Sequence, residues 1–210
     1  MSVSFALFGT LVDAELPADP AAAVGRELRE RGVAVPDDWA AAYRERHVDA
    51  PAGAAVPEPA HVSRALASRG VDAPGNAARR AVVSAYDPAV ATRDGAVDAV
   101  AAARRRGPVA LLTNCAVPEL TGRVFARSAL SRDDFDAVVT SAACGWRKPH
   151  RRAFETAADR LGVDAASLTH VGSDPDTDGG VRRVDGEFVD VAETPLPELA
   201  AAWSEERRTP

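Results

Sequence analysis

Apolar and polar positions follow two rhythms along the chain. Val3–Phe8 is a short run that is apolar on both faces, the pattern of a strand buried inside a parallel sheet. From Pro17 to Tyr86 the spacing becomes helical. Asp19-Pro20 opens a helix with Val24 and Leu28 on one face, and Gly32 stops it. Asp37-Asp38 opens a second, with Trp39 and Tyr43 four residues apart. After the Ala/Pro/Gly stretch 51–59, two more are predicted over about 60–68 and 76–86. No strand-like alternation interrupts this region, so it reads as an all-helical insertion over 14–87.

From Asp94 onward helices and short apolar strands alternate. Helices are predicted over 95–106, 118–128, 151–161, 179–184 and 197–203, and strands over 109–112, 137–140, 168–171 and 187–191. Strand-helix alternation implies an α/β fold, a Rossmann-like parallel sheet covered on both faces by helices. Right-handed crossovers then bring the loops after each strand to one edge of that sheet. Residues 1–13 and 88–210 supply this core, and 14–87 a helical cap.

Composition narrows the classes. The 210 residues carry a formal net charge of −6, with basic residues dispersed, which argues against nucleic acid as a partner. Arg104-Arg105-Arg106, the tightest basic run, reads as a solvated helix end. Two cysteines, Cys115 and Cys144, make neither a disulfide scaffold nor a metal-binding spacing. The N-terminal apolar run ends at Asp13, too short to cross a membrane, so the expectation is a cytoplasmic protein without a membrane partner. Aromatics are scarce, at 5%, so the core must be built from Ala, Val and Leu. Of the 25 basic residues only Lys148 is a lysine.

Chemistry gathers in four loops that follow strands: Phe8-Gly9-Thr10, Thr113-Asn114, Gly145-Trp146-Arg147-Lys148-Pro149, and Val171–Gly180, where Ser173, Asp174, Asp176 and Asp178 are crowded together. A hydroxyl and amide, a lysine and a carboxylate cluster at one sheet edge can hold a phosphoryl group, with carboxylates available to Mg²⁺. Asp-rich turns also cap helices, and Lys148 could pair with Asp174 or Asp178 instead. Cys115 and His170 read as core, His150 as surface. Trp146 either flanks a ligand or packs beneath the cap, and Asp13 could cap the path into the insertion.

Taken in order, these loops resemble the four motifs of the haloacid dehalogenase-like hydrolase superfamily, subfamily I, whose helical cap is inserted after the first strand. The resemblance spans essentially the whole chain. FALFGTLVD stands where that family has DxDGT, Thr113 where a Thr or Ser ends a strand, Lys148-Pro149 where a Lys precedes Pro, and Gly172-Ser173 with Asp178 where the family has GDxxxxD. The resemblance implies Thr113, Asn114 and Lys148 as phosphate-binding residues and Asp174 and Asp178 as the remaining candidates for a Mg²⁺ site.

The departures set the functional expectation. In the family the first aspartate of the first motif is nucleophile and metal ligand, and the second is acid and base; here those places hold Ala6 and Phe8, and Ser173 replaces an acidic ligand. Loss of a covalent nucleophile can cost about 10⁶ in turnover. No catalytic residue is therefore assigned. The expectation is a degenerate family member that keeps an anion pocket for a phosphorylated small molecule or serves a protein partner. Two alternatives remain open: a phosphatase-type hydrolase using Mg²⁺ on Asp174 and Asp178 with relocated chemistry, and a pure interaction module.

Overall fold

The computed structural model describes residues 1–205. Five parallel strands form the central sheet, β1 (Ser2–Phe5), β4 (Val109–Thr113), β5 (Ala137–Thr140), β6 (Leu168–Gly172) and β7 (Glu187–Asp190), in the order β5-β4-β1-β6-β7. β1 is central, with Phe5 opposite Leu111 on one side and Val171 on the other. All four residues of β1 are buried, as are all five of β4, so the continuous apolar runs in the sequence reflect cover on both faces.

Between β1 and β4 the chain builds a second unit. β2 (Val12–Ala14) pairs antiparallel with β3 (Val90–Thr92), and this ribbon brackets four helices, α1 (Pro20–Glu30), α2 (Trp39–Arg44), α3 (Glu58–Ala67) and α4 (Ala77–Ala85). Asp19 caps α1 by accepting from the Ala22 amide at 3.0 Å, with Pro20 in the first turn. The Trp39 indole donates to the Ala21 carbonyl at 2.8 Å and ties α2 onto α1. The ribbon escaped the sequence reading because three residues a side are too few to establish a period of two. Asp13, expected at a cap, instead lies within β2 and faces Arg93 at 4.0 Å.

The core segment continues with α5 (Ala96–Arg104), α6 (Leu120–Arg127), a one-turn α7 (Ser141–Cys144), α8 (Arg151–Leu161) and α9 (Leu196–Glu205). The stretch expected as a helix over 179–184 is a 3-10 helix, Asp178–Val184. Alternation along β4 sorts the packing: Leu111 joins a cluster with Val3, Phe5, Leu7, Val24, Leu28 and Leu66, whereas Leu112 joins Val139, Phe154, Leu168 and Val181 on the opposite face. The first cluster runs without a break from the sheet into the helical insertion. Each fully buried Leu or Phe contributes roughly 1.5–3 kcal/mol. Apart from Phe5, Trp39, Phe135, Phe154 and Trp203, the core is mainly Ala, Val and Leu, as the scarcity of aromatics requires.

Candidate functional site

The sheet delivers three strand ends to one edge. Regular pairing of β1 stops earlier than the apolar run suggests, at Phe5, with a last bond from the Ala6 amide to the Val171 carbonyl at 2.9 Å. The chain then winds around the Leu7 carbonyl, which accepts from the amides of Thr10, Leu11 and Val12 at 3.3, 2.9 and 3.0 Å. Gly9 makes this possible, with φ of 71° and Ser173 Oγ only 2.9 Å from where a Cβ would stand. Thr10, fully buried, donates its hydroxyl to Ser173 Oγ at 3.2 Å and locks the first loop to the loop after β6.

Ala6, Leu7, Phe8, Thr113, Asn114, Lys148, Ser173, Asp174, Thr177 and Asp178 line one crevice of about 130 Å³. Asp176 and Trp146 do not line it, whereas Thr113, Asn114, Lys148, Asp174 and Asp178 all meet there with Ala6, Phe8 and Ser173. Their side chains, however, mostly build the crevice. The Asn114 amide group makes a reciprocal pair with Lys148, donating to its carbonyl at 3.0 Å and accepting from its amide at 2.8 Å. The Lys148 ammonium donates to the Leu112 carbonyl at 2.9 Å and to Asp178 Oδ1 at 2.6 Å, with both side chains almost wholly buried. Asp178 Oδ2 accepts from the Ser173 and Asp174 amides at 3.0 and 3.1 Å. Asp174, exposed, accepts from the Asp176 amide and the Thr177 hydroxyl at 3.0 and 2.9 Å.

A buried histidine completes the network. Ser4 and His170 sit opposite each other in the β1–β6 register, and Ser4 Oγ lies 2.8 Å from His170 Nδ1. On its other side His170 Nε2 is 3.3 Å from both Asp178 Oδ1 and Lys148 Nζ. Burial, together with the Lys148 charge, pushes the imidazole down to about 4, so it is neutral at pH 7. Burial also pulls the Lys148 ammonium below its ordinary range, against the upward pull of Asp178. For Asp178, burial alone would raise the carboxyl, but the hydrogen bond to His170 and the Lys148 charge outweigh it and hold it well below its usual range. Lys148 and Asp178 thus form a closed ion pair.

The fit to Mg²⁺ follows from these bonds. Divalent Mg²⁺ needs near-octahedral oxygen ligands. Both Asp178 oxygens and both Asp174 oxygens already accept hydrogen bonds, and Ala6 and Phe8 offer none. Among the described residues no cluster of three or more His, Cys, Asp or Glu is arranged to hold a metal. The side chains of the crevice offer the ion two carboxylates, one of them closed on Lys148.

Above the crevice, and sharing Asn114 with it, lies a larger cleft of about 410 Å³ between the helical insertion and the sheet edge. Tyr43, Glu58 and His61 face Asn114, Ser141 and Arg147 across it. The Tyr43 hydroxyl bonds to Glu58 Oε1, and His61 Nε2 lies 2.6 Å from the Tyr43 carbonyl. Backbone bonds clamp this cleft: Arg147 N to Gly53 O at 2.9 Å, Ala55 N to Gly145 O at 2.8 Å and Glu58 N to Ala116 O at 2.9 Å. Trp146 stacks on His150 at 4.2 Å with the Arg152 guanidinium over it, while Ala54 bridges to its backbone. His150 also caps α8 by accepting from the Arg152 amide. Cys115 is buried, and burial raises its thiol.

A five-stranded parallel sheet with its chemistry at the strand ends and helices inserted after the first strand defines a Rossmann-like α/β protein. The sequence model of the haloacid dehalogenase-like hydrolases matches residues 7–180, and the chain belongs to that family. Solved structures agree at the level of the fold. A 2-haloacid dehalogenase from Pseudomonas syringae pv. tomato is 18% identical over 96% of this chain and 98% of its own, with a TM-score of 0.62. CbbY from Rhodobacter sphaeroides, solved with xylulose-(1,5)-bisphosphate, is 17% identical over 89% of this chain and 84% of its own, with a TM-score of 0.58. A haloacid dehalogenase family enzyme from Bacteroides thetaiotaomicron, in complex with magnesium and inorganic phosphate, is 12% identical over 90% and 92%, with a TM-score of 0.56. A search of curated proteins found no match. Among the described residues no helix is long and apolar enough to cross a membrane.

Proposed function

We propose that this chain is a catalytically degenerate member of its family that binds a phosphorylated small molecule without turning it over. The reading places the phosphoryl end at the Thr113, Asn114 and Lys148 crevice and the remainder in the adjoining cleft, where the Arg147 guanidinium has no ion-pair or hydrogen-bond partner among the described residues. What supports it is the sequence at the end of β1: Ala6 and Phe8 stand where the resemblance puts the family's nucleophile and its acid-base group, and neither side chain can attack phosphorus or ligate a cation. Two unpaired carboxylates there would repel each other and be costly to desolvate. An alanine and a phenylalanine, the latter packed against the main core cluster, relieve that cost.

The relocated-chemistry alternative needs Asp174 or Asp178 to activate water on a metal, and both carboxylates are already committed to hydrogen bonds. A crevice of about 130 Å³ is room for one phosphoryl group. The test is a thermal-shift titration with inorganic phosphate and Mg²⁺ varied separately. Phosphate alone should raise the melting temperature through ligand linkage, and Thr113→Val should reduce the rise, while Mg²⁺ alone should do nothing. No phosphate response would favour the interaction-module reading, and a response requiring Mg²⁺ would favour an active hydrolase.

A further inference from the structure

A second cavity, of about 400 Å³, lies away from the crevice on the seam between the helical insertion and the core. Arg31 follows α1, Arg79, Arg80 and Ser84 stand on α4, and Glu119 and Arg123 come from the start of α6; all six line it. Four guanidinium groups in one cavity are unexpected in a chain whose net charge is −6.

Nearby carboxylates only partly neutralise them. Arg31 pairs with Glu27 at 2.7 Å, Arg79 with Glu119, and Arg123 shares Asp87 with Arg127, both at 2.6 Å. Four guanidinium groups along this seam therefore share three carboxylates, and a fifth, that of Arg80, makes no ion pair among the described residues. The hydrogen-bond inventory is also incomplete here. Three buried side-chain polar atoms in the described residues lack a partner, and two of them, Arg31 Nε and Glu119 Oε2, belong to side chains lining this cavity. A buried unpaired donor or acceptor costs about 1–3 kcal/mol, so such atoms are normally satisfied by something. One is a donor and the other an acceptor. An occupant that met both would carry an anionic oxygen and a hydroxyl or other donor.

We propose that this cavity is a second anion site, taking a compact phosphorylated small molecule that bridges the arginines of α1 and α4 to Arg123 of α6. Bidentate guanidinium recognition of phosphoryl oxygens supplies the affinity, and Glu119 accepts from a protonated oxygen or hydroxyl of the ligand. Since α4 belongs to the insertion and α6 to the core, an occupant ties the two together. The site does not depend on the crevice reading: it shares no lining residue with it.

Titration calorimetry with inorganic pyrophosphate, at constant ionic strength maintained with chloride, tests the site. Arg80 is exposed and has no ion pair among the described residues, so Arg80→Ala should fold as wild type. The expected result, with the crevice silenced by Thr113→Val, is saturable binding that Arg80→Ala and Arg31→Gln each weaken at least tenfold. Pyrophosphate binding that survives both arginine substitutions, or that disappears with Thr113→Val, would overturn the proposal. Absence of saturable binding in the wild type would overturn it as well.

Discussion

Lys148 Nζ and Asp178 Oδ1 meet at 2.6 Å, and the two side chains are 3% and 4% exposed. This pair joins the loop after β5 to the loop after β6 beneath the crevice, with the Leu112 carbonyl and the Asn114 amide holding the lysine in place. The chain's single lysine therefore acts first as the fastener of the site.

Removing one partner should be costly. Lys148→Met leaves the Asp178 carboxylate buried beside His170 without its counter-charge, and the expected destabilisation is about 3–5 kcal/mol. Lys148→Met with Asp178→Asn should recover a large part of that loss. Urea denaturation of the two single variants and the double variant checks the coupling.

His170 sets an acid limit on the fold. Its imidazole stands at about 4 in the folded chain, below the ordinary 6.5, so the unfolded chain binds more protons between those values. Stability is then full above pH 6.5 and falls as the pH drops toward 4, by about 3 kcal/mol at most. Asp178 and Asp87, whose carboxyls are also lowered, add losses only below the ordinary carboxylate range. Chemical denaturation from pH 7.5 to 4.5 should show this slope in the wild type and a shallower one in His170→Gln.

Gly9 should tolerate no side chain. Its φ of 71° and the 2.9 Å approach of Ser173 Oγ together give Gly9→Ala an expected cost of about 1–3 kcal/mol. Ser173→Gly in the same background should return part of it. Melting temperatures of the wild type and these two variants measure the difference.

Restoring acidity at the end of β1 should harm the fold. Ala6 is 4% exposed, and Ala6→Asp places a carboxylate with no cation in a crevice that already holds Asp174 and Asp178. The expected loss is about 2–4 kcal/mol in the presence of a chelator. Denaturation curves with and without Mg²⁺ would show whether the ion returns any of it.

The fold was largely legible because its strands and helices carry opposite rhythms. Ala137–Thr140 and Arg151–Leu161 fall on the predicted bounds, since an apolar strand and a helix stopped by Gly162 have clear ends. The β2–β3 ribbon and the one-turn α7 were not legible, because three or four residues carry no period and their existence depends on contacts distant in sequence. The four loops could be placed at one edge from strand-helix alternation alone. What the loops do to one another could not be read. That Asn114 is consumed by the Lys148 backbone, and that Asp178 accepts from two amides, depends on loop conformation. Ser4 and His170 looked like isolated polar residues in apolar strands; only the parallel register makes them neighbours, and a polar residue at the centre of each of two buried strands was the signal available. The arginine cavity draws on helices far apart in the chain and left no local trace.

The central claim is that the end of β1 has lost its chemistry, and steady-state hydrolysis of an aryl phosphate with Mg²⁺ tests it most directly. The account predicts no release of product above that of buffer with Mg²⁺. Turnover of about 1 per second or faster, within the ordinary range for enzymes, would contradict it.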